Sequence, residues 1–68
     1  METKLLKELK KGEYFTLREV KEPKESQVYV RGEYDKSQRK FECQRFTDIW
    51  GNGKMLKGNT IVYVGFTF

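Results

Sequence analysis

The sequence predicts a small, mainly β domain: a five-stranded antiparallel meander, SH3-like or closing into a partly open barrel, with a short N-terminal helix or turn. Three observations carry this. From Tyr14 onward the apolar residues recur with period two, the spacing of a strand with one face on a core. Turn-forming residues cut the chain into short runs, at Pro23, at 35–39, at Gly51-Asn52-Gly53 and at Gly58-Asn59. The chain has 68 residues, room for a single domain (1–68), which divides into an N-terminal helix or turn (1–12) and a β-barrel (13–68). A domain of this size hides only about 60 % of the surface its unfolded chain exposes, so its core is small.

Residues 2–10 are the one stretch with helical spacing. Leu5, Leu6 and Leu9 make a single apolar stripe, Glu2 stands near the start, and Lys10 and Lys11 stand near the end. Gly12 is a natural stop. So short a helix is marginal without packing, and the other reading of the segment is a turn in which Leu9 packs and Gly12 leads into the first strand. That strand spans 14–20, with Phe15 and Leu17 alternating with Thr16 and Arg18. Pro23 and the charged stretch 21–25 form a loop, because proline cannot donate to a ladder. A second strand covers 27–34, with Val28, Val30 and Tyr34 inward and Tyr29, Arg31 and Glu33 outward. A polar turn at 35–39 links it to a third strand, 40–46, with Phe41 and Cys43 inward. Residues 54–57 return as a short strand carrying Met55 and Leu56. The last strand, 60–68, is apolar on both faces at several positions, which suits a central strand. Gly32 and Gly65 lie inside strands, where glycine permits a bend or bulge.

Composition removes whole classes of chemistry. With no histidine, imidazole acid–base work, Ser-His and Cys-His nucleophiles and His-ligated metals are excluded. A single cysteine excludes an internal disulfide and every Cys-rich zinc pattern. Cys43 shares parity with Phe41 and so reads as a small core hydrophobe. Glu33, Asp35, Glu42 and Asp48 sit among lysines and arginines that pair with them more simply than a metal would. The glycine turns lack the spacing and the strand-to-helix context of a phosphate-binding loop. No apolar run approaches the roughly 20 residues that span a bilayer, and the N-terminus lacks the long apolar stretch of a signal peptide. The expectation is a cytoplasmic, non-enzymatic module with no cofactor, no metal, no membrane and no small-molecule substrate.

Charge supplies the lean toward a partner. Fourteen Lys and Arg against ten Asp and Glu give a net charge of +4. Residues 1–35 are balanced, so the whole excess falls in 36–68, where Lys36, Arg39, Lys40, Arg45, Lys54 and Lys57 face only Glu42 and Asp48. Aromatic residues lie among them. Tyr29 is on the outward parity of its strand, Phe46 is on the parity opposite Phe41 and Cys43, and Trp50 adjoins the glycine turn. Small β-barrels hold single-stranded nucleic acid in this way, stacking bases on aromatic rings while lysine and arginine hold phosphates. The expected interface therefore uses Tyr29, Phe46 and Trp50 for stacking. Arg31, Arg39, Lys40, Arg45, Lys54 and Lys57 make the phosphate contacts to RNA or single-stranded DNA. The rival is a protein-interaction or regulatory module, a homodimer through the last strand or through the leucine stripe.

The run from Leu9 to Leu17, the run from Val28 to Asp35 and the ending Leu56 to Val64 together resemble short uncharacterised proteins of phages and mobile elements of gut-type bacteria. The resemblance covers most of the chain. It implies a bacterial or phage cytoplasmic setting and carries over no functional residue.

Overall fold

Period-two runs bounded by turns pair as antiparallel strands. A computed structural model, which describes residues 2–47 and 53–66, places six of them: β1 (Glu2–Leu5), β2 (Tyr14–Phe15), β3 (Tyr29–Asp35), β4 (Lys40–Arg45), β5 (Lys54–Lys57) and β6 (Ile61–Val64). They form two antiparallel sheets, one of order β1-β6 and one of order β2-β3-β4-β5. The larger sheet holds four strands of the predicted five-stranded meander, and the last strand pairs with β1 instead. The two sheets meet at Thr16, which exchanges both backbone hydrogen bonds with Tyr63 of β6, at 3.0 and 2.9 Å. They do not close into a barrel. Among the described residues no helix is long and apolar enough to cross a membrane.

The N-terminus corrects the first expectation. Residues 2–5 are a strand, in register from Glu2 against Val64 to Leu5 against Ile61. A short 3-10 turn, Leu6–Glu8, follows. Nine residues cannot offset the cost of helix nucleation, whereas β6 offers a ready ladder. The Glu8 carboxylate accepts the Leu5 backbone N–H at 2.7 Å and closes the turn. Leu6 and Leu9 are buried, and Gly12 turns the chain at φ 91°, so the turn reading of this segment is the one realised.

The first predicted strand, 14–20, shrinks to Tyr14–Phe15. Beyond it Thr16 leaves the sheet for its bridge to β6, and its hydroxyl donates to the Arg18 carbonyl at 2.6 Å. Val28, just before β3, is fully buried. Side-chain parity in the first half of β3, before its bulge, is the reverse of that expected, whereas Tyr34 beyond it shares the face of Phe41 as expected. Phe15, Tyr29 and Arg45 stand in register across β2, β3 and β4, and the Tyr29 ring lies on Phe15 at 5.8 Å and 21°. Tyr29 therefore faces the core, 7 % exposed, while Val30 pairs with Tyr14 and Gln44 on the other face. Counting apolar residues misassigns this strand because Tyr29 buries its ring against Phe15 and Arg31 lays its guanidinium over the Phe41 ring, so both polar residues face the core.

Between Arg31 and Tyr34 the register slips by a bulge. A Cβ at Gly32 would stand 2.5 Å from the Glu42 carbonyl oxygen, so only glycine lets β3 and β4 approach here. The β3–β4 turn is held by Asp35, whose carboxylate accepts from the Ser37 amide and hydroxyl at 2.9 and 2.7 Å. These bonds keep the Asp35 pKa below its ordinary value.

β4 and β5 run in register from Lys40 against Lys57 to Cys43 against Lys54. Gly58-Asn59 turns the chain as expected, but the turn carries it from one sheet to the other rather than closing a hairpin. Leu6 and Lys7 donate their backbone N–H groups to the carbonyls of Thr60 and Gly58 and fasten the N-terminus to that corner. β6 is shorter than the strand expected over 60–68 and is not central: it pairs with β1 on one side and meets only Thr16 on the other, and Ile61 is exposed. One core joins Leu6, Leu9, Phe15, Tyr29, Phe41, Cys43, Val62 and Val64.

Candidate nucleic-acid interface

Phe15 supplies the floor of the candidate site. It is fully buried, and it covers one face of the Tyr29 ring. Two cations gather on what remains of that ring. The Arg45 guanidinium carbon lies 5.7 Å from the ring centroid, and Arg45 donates to the Tyr29 hydroxyl at 3.3 Å. The Lys54 ammonium also lies 5.7 Å from the centroid. Register explains the convergence: Arg45 pairs directly with Tyr29, and Lys54 pairs with Cys43, two residues away on the same face of β4. Lys54 has no carboxylate partner among the described residues.

Electrostatics follow from this geometry. Burial opposes ionisation of the Tyr29 phenol. The Arg45 hydrogen bond and the charges of Lys54 and Arg45 together outweigh burial, and the pKa falls below the ordinary tyrosine value. A phenol made more acidic by its surroundings reports a site that favours negative charge.

Beside it opens a cleft of about 360 Å³. Its lining includes the segment from Thr16 to Arg18, with Ser26, Gln27, Tyr29 and Lys54. Gln27 is held in place by accepting the Lys24 backbone N–H at 2.9 Å. Arg18 adds a third cation. Charge counting misses it because residues 1–35 are neutral as a whole. The signal lay in its outward alternation with Leu17.

The other expected residues disperse. Arg31 lies on the inner face, its guanidinium carbon 4.2 Å from the Phe41 centroid, so it is half-buried over a core ring. Arg39 sits in the β3–β4 turn at φ 56°. Lys40 and Lys57 face each other at the far end of β4, on the face opposite Phe41 and Leu56. Trp50, with its flanking residues 48–52, falls outside the described residues. Phe46 points outward as its parity predicts and meets Tyr14 edge to face at 5.7 Å and 74°. Tyr14, 45 % exposed, is an outward aromatic in the half of the chain that carries no net charge, so charge counting passes over it. Tyr29 cannot serve as a stacking platform, because Phe15 takes one of its faces and cations crowd the rest. Its contribution is the hydroxyl.

Cys43 is inside, as expected. Its thiol touches the Phe41 carbonyl at 3.7 Å, and burial pushes its pKa up to about 11. Such a thiol is neither nucleophile nor metal ligand at neutral pH. Glu33 pairs with Lys11, and that bond lowers its pKa. Among the described residues no cluster of acids or cysteine is arranged to hold a metal. Comparison with protein-family models, curated proteins and solved structures gives no match.

Proposed function

We propose that this chain is a non-catalytic binding module that holds RNA or single-stranded DNA weakly and without sequence preference. Arg45 and Lys54 make the central phosphate contacts, with Arg18 beside them. The observation that carries this is the convergence of Arg45 and Lys54 on one phenol at the mouth of a cleft. Had the two cations stood on opposite sides of the domain, no basic site would exist. The Tyr14 ring, exposed and packed edge to face on a half-buried Phe46, lies at the same end of the sheet on its other face, where a strand rounding the rim could meet it.

Within the same reading, the two sheets are the halves of a partly open SH3-like barrel. The Thr16–Tyr63 bridge, which joins β2 to β6, supports that view. The setting is cytoplasmic, bacterial or phage, with no membrane.

The alternative, a protein-contact module, has less to support it at the leucine stripe than at the last strand. Residues 61–64 pair with β1 along one side and Tyr63 alone meets Thr16 on the other, and Leu6 and Leu9 are buried in the chain's own core. The test is a titration of isotope-labelled protein with a mixed-sequence single-stranded oligonucleotide at low and moderate salt. The reading predicts amide shifts at residues 14–18, 29, 45–46 and 54 that weaken as salt rises. No shifts at low salt would remove nucleic acid and leave a protein partner to be sought by pull-down.

A further inference from the structure

Strand edges recruit other strands, and β1 is an edge of its sheet. In an antiparallel ladder successive residues turn their N–H and C=O groups alternately toward the partner strand and away from it. Tyr63 gives both of its groups to Thr16, so in the facing pair Thr3–Tyr63 the backbone groups point away from each other. Thr3 therefore presents its N–H and C=O on the outer side of β1, and among the described residues neither has a partner. Leu5, two residues on, also turns its N–H outward, and the Glu8 carboxylate accepts it at 2.7 Å. The open part of the edge is thus short and centred on Thr3.

The charges beside Thr3 select the occupant. Glu2 and Lys4 share one face of β1, with exposed side chains and the Lys4 ammonium 3.9 Å from the Glu2 carboxylate. When two copies pair antiparallel about a twofold axis at Thr3, the two threonines exchange both backbone hydrogen bonds. Glu2 then stands directly opposite the partner's Lys4, and Lys4 opposite the partner's Glu2. These are the closer, non-hydrogen-bonded pairs, in which cross-strand charges act most strongly. The run Glu2-Thr3-Lys4 is therefore its own complement. The edge of the larger sheet, β5, is not: a twofold axis at Met55 sets Lys54 against Leu56, and one at Leu56 sets Lys57 against Met55. A twofold contact at β1 uses the same patch on both copies, so it closes at two chains.

We propose that β1 is a self-pairing edge, through which two copies of this chain form a symmetric dimer with one continuous sheet of order β6-β1-β1-β6. The contact spans a few residues a side, well below the roughly 800 Å² per partner of a stable complex, so the dimer is weak and forms at high concentration. It does not depend on the nucleic-acid reading, and its test contains no oligonucleotide. The full chain is followed by sedimentation equilibrium and by backbone amide shifts from about 20 μM to about 2 mM, at about 0.15 M salt, where the Debye length of about 8 Å damps repulsion between the net charges of +4. The variants are Glu2→Lys, Lys4→Glu and Thr3→Pro. Proline at residue 3 removes only an N–H that faces outward, and the bonds between β1 and β6 stay in place.

The wild-type mass should rise with concentration toward that of two chains, with the concentration-dependent shifts centred on residues 2–5. Each variant should weaken self-association by at least about tenfold, since a charge reversal turns two attractive pairs into two repulsive ones. An equimolar mixture of Glu2→Lys with Lys4→Glu should restore association, because every facing pair is then opposite in sign. That recovery separates a lost contact from a lost fold. A wild-type chain that stays monomeric at the highest concentration would overturn the inference. So would shifts centred on residues 54–57, or a mixture of the two charge variants that associates no better than either alone.

Discussion

The two ends of β4 carry the same kind of residues and do different things with them. At one end Arg45 and its neighbour Lys54 meet the buried Tyr29–Phe15 stack, beside a cleft. At the other, Lys40 and Lys57 face each other across β4 and β5 on the outer face, with Asp35 next in register. The aromatic pair at that end, Tyr34 on Phe41 at 4.8 Å, leaves Tyr34 44 % exposed. Net charge alone does not make a site. A site needs cations brought to one point: Arg45 and Lys54 share the Tyr29 ring, whereas Lys40 and Lys57 lie on the face opposite Phe41.

The largest expected difference is in stability. Phe15→Ala removes the floor under Tyr29 and should cost about 3–5 kcal/mol, a large share of the roughly 3–10 kcal/mol available to a chain of 68 residues. Tyr34→Ala, at the open end, should cost about 1 kcal/mol. Urea unfolding of the two variants measures the gap. Equal losses would mean that the two ends are supported alike.

Between the ends lies Cys43. Its pKa is raised by burial to about 11 from 9.0, so the folded state resists ionisation while the unfolded state does not. The stability this supplies is whole below pH 9 and is lost as pH rises from 9 toward 11, a loss of up to about 3 kcal/mol. The difference between wild type and Cys43→Ala in urea midpoints at pH 8 and pH 10.5 should shrink accordingly. A difference independent of pH would place the thiol in water.

Tyrosine ionisation probes the Arg45 end more finely. Tyr29 should ionise below the ordinary tyrosine value in a spectrophotometric titration, and the Arg45→Ala with Lys54→Ala variant should move it back upward. An unmoved Tyr29 would mean that the two cations do not act on its hydroxyl. The smallest effect is at the far end. Lys40→Ala with Lys57→Ala relieves a like-charge pair in direct register and should raise stability by a few tenths of a kcal/mol.

Much of the fold is legible in the sequence because period-two spacing and turn residues act locally. The strand at 54–57, the turn at Gly58-Asn59, the bulge at Gly32 and the inward Phe41 and Cys43 all follow from local rules. What failed depended on distant partners. Residues 2–5 become a strand only because β6 is there to pair with them. Tyr29 turns inward only because Phe15 and Arg45 stand beside it in register. The candidate site was legible in part. Arg45 and Lys54 carried the charge signal, and Phe46 carried the parity signal. Arg18 and Tyr14 were hidden because they lie in the half of the chain that carries no net charge.

The most direct test of the central claim compares the two double variants with wild type. Each is titrated with a mixed-sequence single-stranded oligonucleotide at low salt. Arg45→Ala with Lys54→Ala should weaken binding by about 10- to 100-fold, on the order of 1.4 kcal/mol for each charge-assisted hydrogen bond removed. It should also flatten the salt dependence by about 1.4 in slope, near 0.7 for each phosphate that is no longer neutralised. Lys40→Ala with Lys57→Ala should change affinity by less than about threefold. Equal losses in the two variants would contradict the account, because binding would then follow the total charge of the chain rather than the one place where its cations converge.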